Sequence, residues 1–201
     1  MRPYFVTAIG TDSGKTLVSA LLCRALGAEY WKPIQCGIPA DAATIRQLNP
    51  QTRVHPEAYF LQLPASPHAA ARAEGVQLDA RSLQLPATDA SLVIEGAGGM
   101  LVPLNDREFI IDLVPHFGAE VVLVANLYLG SINHTLLSWQ LLQQRGYPVR
   151  GIIFNGTPNP ESEQIILHHT GYKKLLSIDQ HEQLTPHLLE QYAATLRTQL
   201  G

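Results

Sequence analysis

Lys15 and Thr16 stand side by side after a run of small residues, Thr7-Ala8-Ile9-Gly10-Thr11-Asp12-Ser13-Gly14. The apolar stretch Tyr4-Phe5-Val6 precedes that run, and the helical-looking stretch Leu17 to Leu26 follows it. A strand, a loop of small residues and a helix make a phosphate cradle. Gly10, Ser13 and Gly14 let backbone N–H groups turn inward at the positive end of a helix that begins near Lys15. Lys15 then reaches the β- and γ-phosphates of a nucleotide, and the Thr16 hydroxyl faces Mg²⁺. The strict spacing G-x-x-x-x-G-K-[ST] is not met, because Ile9 stands where its first glycine belongs. The reading rests on the strand before the loop and the helix after it.

Four further places offer polar groups at the end of an apolar run. In Trp31-Lys32-Pro33-Ile34-Gln35-Cys36-Gly37 a lysine ends a strand and is followed by a proline. Lys32 is either a solvated strand-end lysine or a second cation for the charge that spreads over a transferred phosphoryl group. Asp41 is either a helix-start acid favoured by the dipole or a carboxylate for the metal. In Leu92-Val93-Ile94-Glu95-Gly96-Ala97-Gly98-Gly99 a strand ends in a carboxylate, the place where P-loop proteins hold Mg²⁺ or its waters, and the glycines admit close backbone approach. Gly130 and Ser131 leave amides free at the start of a helix, which is an anion site or a normally capped end. Asn155 offers a paired donor and acceptor for a base edge, or serves the turn that follows it.

These groups need a scaffold that brings strand ends together. Short apolar runs rich in β-branched residues alternate with longer segments of helical period, the pattern of a parallel sheet covered on both faces. Strands are expected near Tyr4–Thr7, Glu29–Pro33, Leu92–Glu95, Glu120–Ala125, Val149–Phe154 and Lys174–Ile178. Helices are expected near Lys15–Leu26, Ala40–Leu48, Phe109–His116, Ile132–Arg145, Glu161–His169 and Pro186–Leu200. The Pro- and Ala-rich stretch from Pro56 to Pro86 reads as an irregular excursion between strands. The fold class is α/β, a three-layer P-loop architecture with a mostly parallel sheet and helices on both faces. In such a sheet the ligand lies beyond the carboxyl ends of the strands.

The remaining chain bounds the answer. Its 201 residues suit one domain able to bury a core without staples. Cys23 and Cys36 give no disulfide framework and suit a reducing cytoplasm. Cys23, among Leu21, Leu22 and Leu26, is expected in the core. No run is long enough for a membrane span and no charged, apolar leader precedes the first strand. Fourteen basic against 17 acidic residues, without runs of like charge, argue against a broad nucleic-acid surface. The eight histidines are scattered and are read as surface or helix-end residues. The pair His168-His169 lacks metal-ligand spacing, its members pointing to two sides of a helix.

In order and spacing these pieces resemble the dethiobiotin synthetase family, from Tyr4 to about Pro160. The resemblance is carried by Phe5-Val6-Thr7 entering the loop, Lys32 to Gly37, Glu95 to Gly99 with Val102-Pro103-Leu104, and Leu129-Gly130-Ser131-Ile132-Asn133-His134. That family's phosphate loop is one residue longer than the strict pattern, which accounts for Ile9, and its first glycine falls on Ala8. The resemblance implies that Asp12, Ser13, Gly14, Lys15, Thr16 and Leu17 wrap the phosphates of ATP. It implies that Thr16, Asp41 and Glu95 hold Mg²⁺, that Lys15 and Lys32 are the catalytic lysines, and that Gly96, Ala97, Gly98 and Asn155 belong to the nucleotide site. Cys36 takes the place of a small hydroxyl residue that touches the diamine substrate. The family pattern implies a homodimer in which the Gly130 to His134 turn, with Gly130 and Asn133, caps the substrate carboxylate held by the other subunit. The implied reaction takes 7,8-diaminononanoate and CO₂ to a cyclic urea at the expense of ATP.

Two other classes share parts of this pattern. A partitioning-type ATPase switch has the same fold but carries an additional lysine in the loop, where this chain has Gly10. An amidating synthase of corrinoid metabolism carries a glutaminase domain for which 201 residues leave no room.

Overall fold

The computed structural model describes residues 3–201. Its frame is a six-stranded parallel sheet in the order β2-β5-β1-β6-β7-β8. The strands are β1 (Tyr4–Ala8), β2 (Glu29–Trp31), β5 (Leu92–Glu95), β6 (Glu120–Asn126), β7 (Val149–Asn155) and β8 (Lys174–Ile178). A separate parallel pair joins β3 (Ile34–Cys36) to β4 (Tyr59–Leu61). The helices are α1 (Lys15–Leu26), α2 (Asp41–Leu48), α3 (Pro67–Glu74), α4 (Leu113–Phe117), α5 (Ser131–Gln144), α6 (Pro160–Thr170) and α7 (Pro186–Leu200).

The inner strands are apolar on both faces because both faces are covered. In β1 the alternation sends Phe5 into one core and Val6 and Ala8 into the other. The first core draws on α3 through Ala70 and Ala71, α4 through Val114 and Phe117, α5 through Leu142 and α6 through Ile166. The second takes most of α1, Ile45 of α2, and Leu189, Ala193 and Leu196 of α7. Cys23 is buried in the second core, as the sequence indicates, and burial pushes its thiol far up in pKa.

From β1 the chain runs outward to β2, returns to β5, and crosses to β6 on the other side of β1. That reversal opens a crevice at the carboxyl end of β1, where α/β sheets bind ligands. The register aligns Phe5 with Ile94 on one side and with Val121 on the other, so the ends of β1, β5 and β6 reach one rim.

Three stretches depart from the sequence expectation. The expected strand Glu29–Pro33 stops at Trp31, and the chain resumes as β3 in the second sheet, because Pro33 has no N–H to continue a ladder. The Pro33 carbonyl instead accepts from Tyr59 N at 3.0 Å and opens the pairing of β3 with β4. The expected helix Phe109–His116 is a 3-10 turn, Ile110–Asp112, followed by the five-residue α4. The excursion from Pro56 to Pro86 is more regular than expected, since it contains β4 and α3. Ser66 at the N-cap, Pro67 at the first helical position and Gly75 in the left-handed region at the end are the start and stop signals of α3.

At the amino end of β2, away from the rim, Glu29 meets His55, with Nε2 and Oε2 2.5 Å apart. His55 is buried, contrary to its reading as a surface residue. His168 and His169 do not point apart but sit edge to face with ring centroids 5.3 Å apart. Among the described residues no helix is long and apolar enough to cross a membrane.

Candidate active site

The phosphate-type loop leaves β1 at Ala8 and enters α1 at Lys15. Two residues in the left-handed region shape it, Asp12 at φ 55° and Gly14 at φ 89°. Gly14 is the N-cap of α1 and no side chain caps the helix, so the first N–H groups of α1 remain available to an anion. A Cβ on Gly14 would overlap the amide of Asn155. The loop is braced from the ends of two neighbouring strands. The Ser13 hydroxyl donates to Asn126 Oδ1 at 2.7 Å and lies 3.0 Å from Gly10 O. Asn155 Nδ2 donates to Ser13 O at 2.9 Å. Asn155 thus secures the loop, and its neighbour Asn126, opposite it in register, is a brace that motif reading does not find.

Across the rim stand the charged groups of β2, β5 and α2. Glu95 ends β5 and is 1% exposed. Its Oε1 accepts from the Thr16 hydroxyl at 2.9 Å and lies 3.6 Å from Lys32 Nζ. Its Oε2 accepts from the Tyr30 hydroxyl at 3.0 Å. Lys32, also buried, forms its closest ion pair with Asp41 at the start of α2. Gln35 supports this arrangement from beneath: its Nε2 donates to Gly37 O at 3.0 Å and its Oε1 accepts from Asp41 N at 3.2 Å.

Lys15 is 7% exposed. Burial lowers its pKa; the carboxylates of Glu95 and Asp12 oppose that, and the charge of Lys32 adds to it. A lysine buried at a helix start, facing a second lysine, is stabilised by whatever anion binds between them. The Cys36 thiol is pushed up by burial and by Glu74, against the pull of Lys32, so it is a neutral thiol at physiological pH.

These groups line one cleft of about 760 Å³, which takes in residues 11–16, Lys32, 35–39, Asp41, 64–67, Glu95, Ala97, Gly98 and Val102. Pro64 to Pro67, at the head of α3, also line the cleft, and no motif in the sequence marks them as part of a site. Ser-Pro before an Ala-rich helix was the available signal, but only the fold carries that helix back to the rim. Gly37, at φ 79°, lies so close to Pro64 that an added Cβ would stand 2.7 Å from its Cβ, which fastens the β3 connector to this approach.

Some predicted residues do not face the cleft with their side chains. Leu17 packs against the second core and can offer a ligand only its backbone. Gly96 is a packing position, since a Cβ there would come 3.0 Å from the Phe5 ring. Gly130 and Asn133 lie outside the cleft of this chain. Gly130 is the N-cap of α5 at φ 106°, and no side chain caps that helix either.

Among the described residues no three His, Cys, Asp or Glu side chains form a metal cluster. Thr16, Asp41 and Glu95 supply a hydroxyl and two carboxylates, an all-oxygen set that suits a hard cation sharing its shell with water and phosphate oxygens.

The AAA domain family model matches residues 2–188 of the chain. In fold the chain resembles the cell division ATPase MinD of Pyrococcus furiosus, with a TM-score of 0.58 over 98% of this chain and 99% of that one, at 14% identity. In sequence it is 45% identical over 180 residues to the ATP-dependent dethiobiotin synthetase BioD of Paramagnetospirillum magneticum, covering 89% of this chain and 88% of that protein. The identity is 56% over 200 residues with the ATP-dependent dethiobiotin synthetase BioD of Cytophaga hutchinsonii, covering 98% and 97%. Agreement at that level along nearly the whole of both chains decides the matter: the chain belongs to the family of ATP-dependent dethiobiotin synthetases.

Proposed function

We propose that this chain is a single synthetase domain that uses ATP to carboxylate 7,8-diaminononanoate and close it into the cyclic urea of dethiobiotin, releasing ADP and phosphate. The observation that carries the reading is the meeting of Lys15, Thr16, Lys32, Asp41 and Glu95 in one cleft, with Lys32 Nζ 3.6 Å from Glu95 Oε1. Asp12 to Leu17 hold the triphosphate through backbone amides and the Lys15 ammonium. Thr16, Asp41 and Glu95 would hold Mg²⁺. When bound, that ion neutralises charge on the phosphoryl oxygens.

The substrate lies between the phosphate loop and the wall formed by Cys36, Pro64 to Pro67 and Val102. One amine takes up CO₂ as a carbamate with loss of a proton; a carbamate oxygen then attacks the γ-phosphate, the bond to the β-phosphate oxygen breaks, ADP leaves and a carbamic-phosphoric anhydride is formed. The second amine then attacks the activated carbon and phosphate leaves. No protein nucleophile is needed. Lys32 leaves its pairing with Asp41 to stabilise the charge that builds on the transferred group, and Lys15 remains on the phosphates. Cys36 donates a weak hydrogen bond to the diamine. Asn155 presents its free acceptor side to the adenine while it braces Ser13.

The enzyme acts in the cytoplasm as a homodimer, with no nucleic acid or membrane partner. Gly130 and Asn133, outside their own cleft, reach the substrate carboxylate of the other subunit. This arrangement is supported by the exposed apolar side chains around the start of α5, Leu129, Ile132 and Leu137. The likeness to MinD is one of fold alone, and no observation favours a partitioning-type switch. The test is phosphate release by the purified protein with Mg²⁺, ATP and bicarbonate, with and without 7,8-diaminononanoate, with the product followed by mass. Diamine-dependent release matched by the cyclic urea is expected; hydrolysis indifferent to the diamine would overturn the reading.

A further inference from the structure

Glu95 is nearly sealed from solvent, yet each of its oxygens has a different partner. Oε1 faces the rim, where Thr16 and Lys32 lie. Oε2 faces inward, to the hydroxyl of Tyr30, which is 0% exposed. The sheet register explains the meeting. Tyr30 stands opposite Val93, and the two-residue period puts Val93 and Glu95 on one face, so the tyrosine ring runs diagonally along the strands to the carboxylate. The phenol carries the proton of this pair and the carboxylate accepts it, since an ionised carboxylate has none to give. Without that bond the terminal torsion of a glutamate is broad, and the plane of the carboxylate is free to turn away from the orientation that sets one oxygen towards Thr16 and Lys32.

We propose that Tyr30 is a positioning residue for the metal site: its hydroxyl holds Glu95 Oε2 inward so that Oε1 alone is presented to Thr16, Lys32 and Mg²⁺. β2 thereby orients the site twice, through Tyr30 within the strand and through Lys32 just beyond its end. The inference rests on the reading of Glu95 as a magnesium-side carboxylate, and the test separates the two.

Mg²⁺ binding is measured by calorimetry on the protein saturated with a non-hydrolysable ATP analogue, for the wild type, Tyr30→Phe, Glu95→Gln and the double variant. Loss of a hydrogen-bond partner behind a metal ligand weakens the ion about 10- to 100-fold, and that is the expected effect of Tyr30→Phe. The KM for the diamine at saturating Mg²⁺ is expected to stay within about two-fold, because no ground-state substrate contact is removed. The double variant should bind Mg²⁺ no more weakly than Glu95→Gln alone, since Tyr30 acts through Glu95. If Tyr30→Phe binds Mg²⁺ as the wild type does while Glu95→Gln does not, the hydroxyl merely satisfies a buried group and the proposal fails. If Glu95→Gln binds Mg²⁺ normally, the metal reading itself is overturned. Tyr30→Leu repeats the comparison with a second side chain that lacks the donor.

Discussion

Lys32 shows how a single side chain takes its meaning from its surroundings. A lysine after a short strand is ordinarily solvated, but here it is buried between Asp41 and Glu95. That placement costs desolvation, which the two carboxylates offset in the resting protein. Lys32→Ala is expected to lower kcat at least about 100-fold, the scale of losing one preorganised charge at a phosphoryl transition state, with far-UV circular dichroism unchanged. Near-normal turnover would remove Lys32 from the mechanism. Cys36 makes the opposite case. Its thiol pKa is raised, so it contributes a neutral, weak donor. Cys36→Ser should retain turnover and bind the diamine as well or better, and iodoacetamide should label the wild-type thiol with a pH midpoint above that of an ordinary thiol, more slowly when the diamine is present.

At the scale of elements, the phosphate loop depends on what β6 and β7 present to it. Gly14 is held against the Asn155 amide in a conformation that disfavours any side chain. Gly14→Ala should therefore abolish nucleotide binding and lower the melting temperature, whereas Gly27→Ala, in open space at the other end of α1, should cost stability only. β2 contains a pH-sensitive contact at its other end. Burial alone would raise the Glu29 carboxyl, but hydrogen bonds from His55 and Thr88 and the charge of Arg53 outweigh it and hold the pKa below its ordinary value. A depressed carboxylate contributes stability above its unfolded pKa, about 4.3, and loses it as pH falls through the lower folded value. Thermal melts from pH 6 to pH 3 should fall more steeply for the wild type than for Glu29→Gln.

For the molecule as a whole, the predicted homodimer accounts for two otherwise unrelated observations. The turn at Gly130 is uncapped yet lies outside its own cleft, and Leu129 is fully exposed beside it. Along α5, Leu137 is 57% exposed, next to Leu101 at 49%. Together with Met100, Val102 and Leu141, residues 101 and 137 line a second, more apolar hollow beside the site. The proposed subunit contact would cover this patch. Sedimentation should give twice the mass of one chain, and Leu137→Glu should yield a monomer whose KM for the diamine rises at least about 10-fold, because a missing ligand to the substrate carboxylate removes binding energy. A Leu137→Glu monomer with normal kinetics would detach the α5 turn from the substrate site.

The amino-acid sequence determined those features that depend on neighbours along the chain. The phosphate loop, the six sheet strands and the long helices follow from local periodicity, small residues and charged residues at strand ends, and their order implies a parallel α/β sheet. Lys15, Thr16 and Glu95 stood out as candidates for the same reason, whereas Lys32 and Asp41 stayed open on local pattern and were named by the family resemblance; the fold brings all five to one cleft. What only the tertiary structure decided depends on register and on crossings between distant segments. Tyr30 meets Glu95 because β2 pairs with β5 at Val93, Asn126 meets Ser13 because β6 lies beside β1, and Pro64 to Pro67 reach the cleft because β4 pairs with β3. A shift of one residue in any strand would turn these side chains to the other face, and no local pattern specifies that alignment.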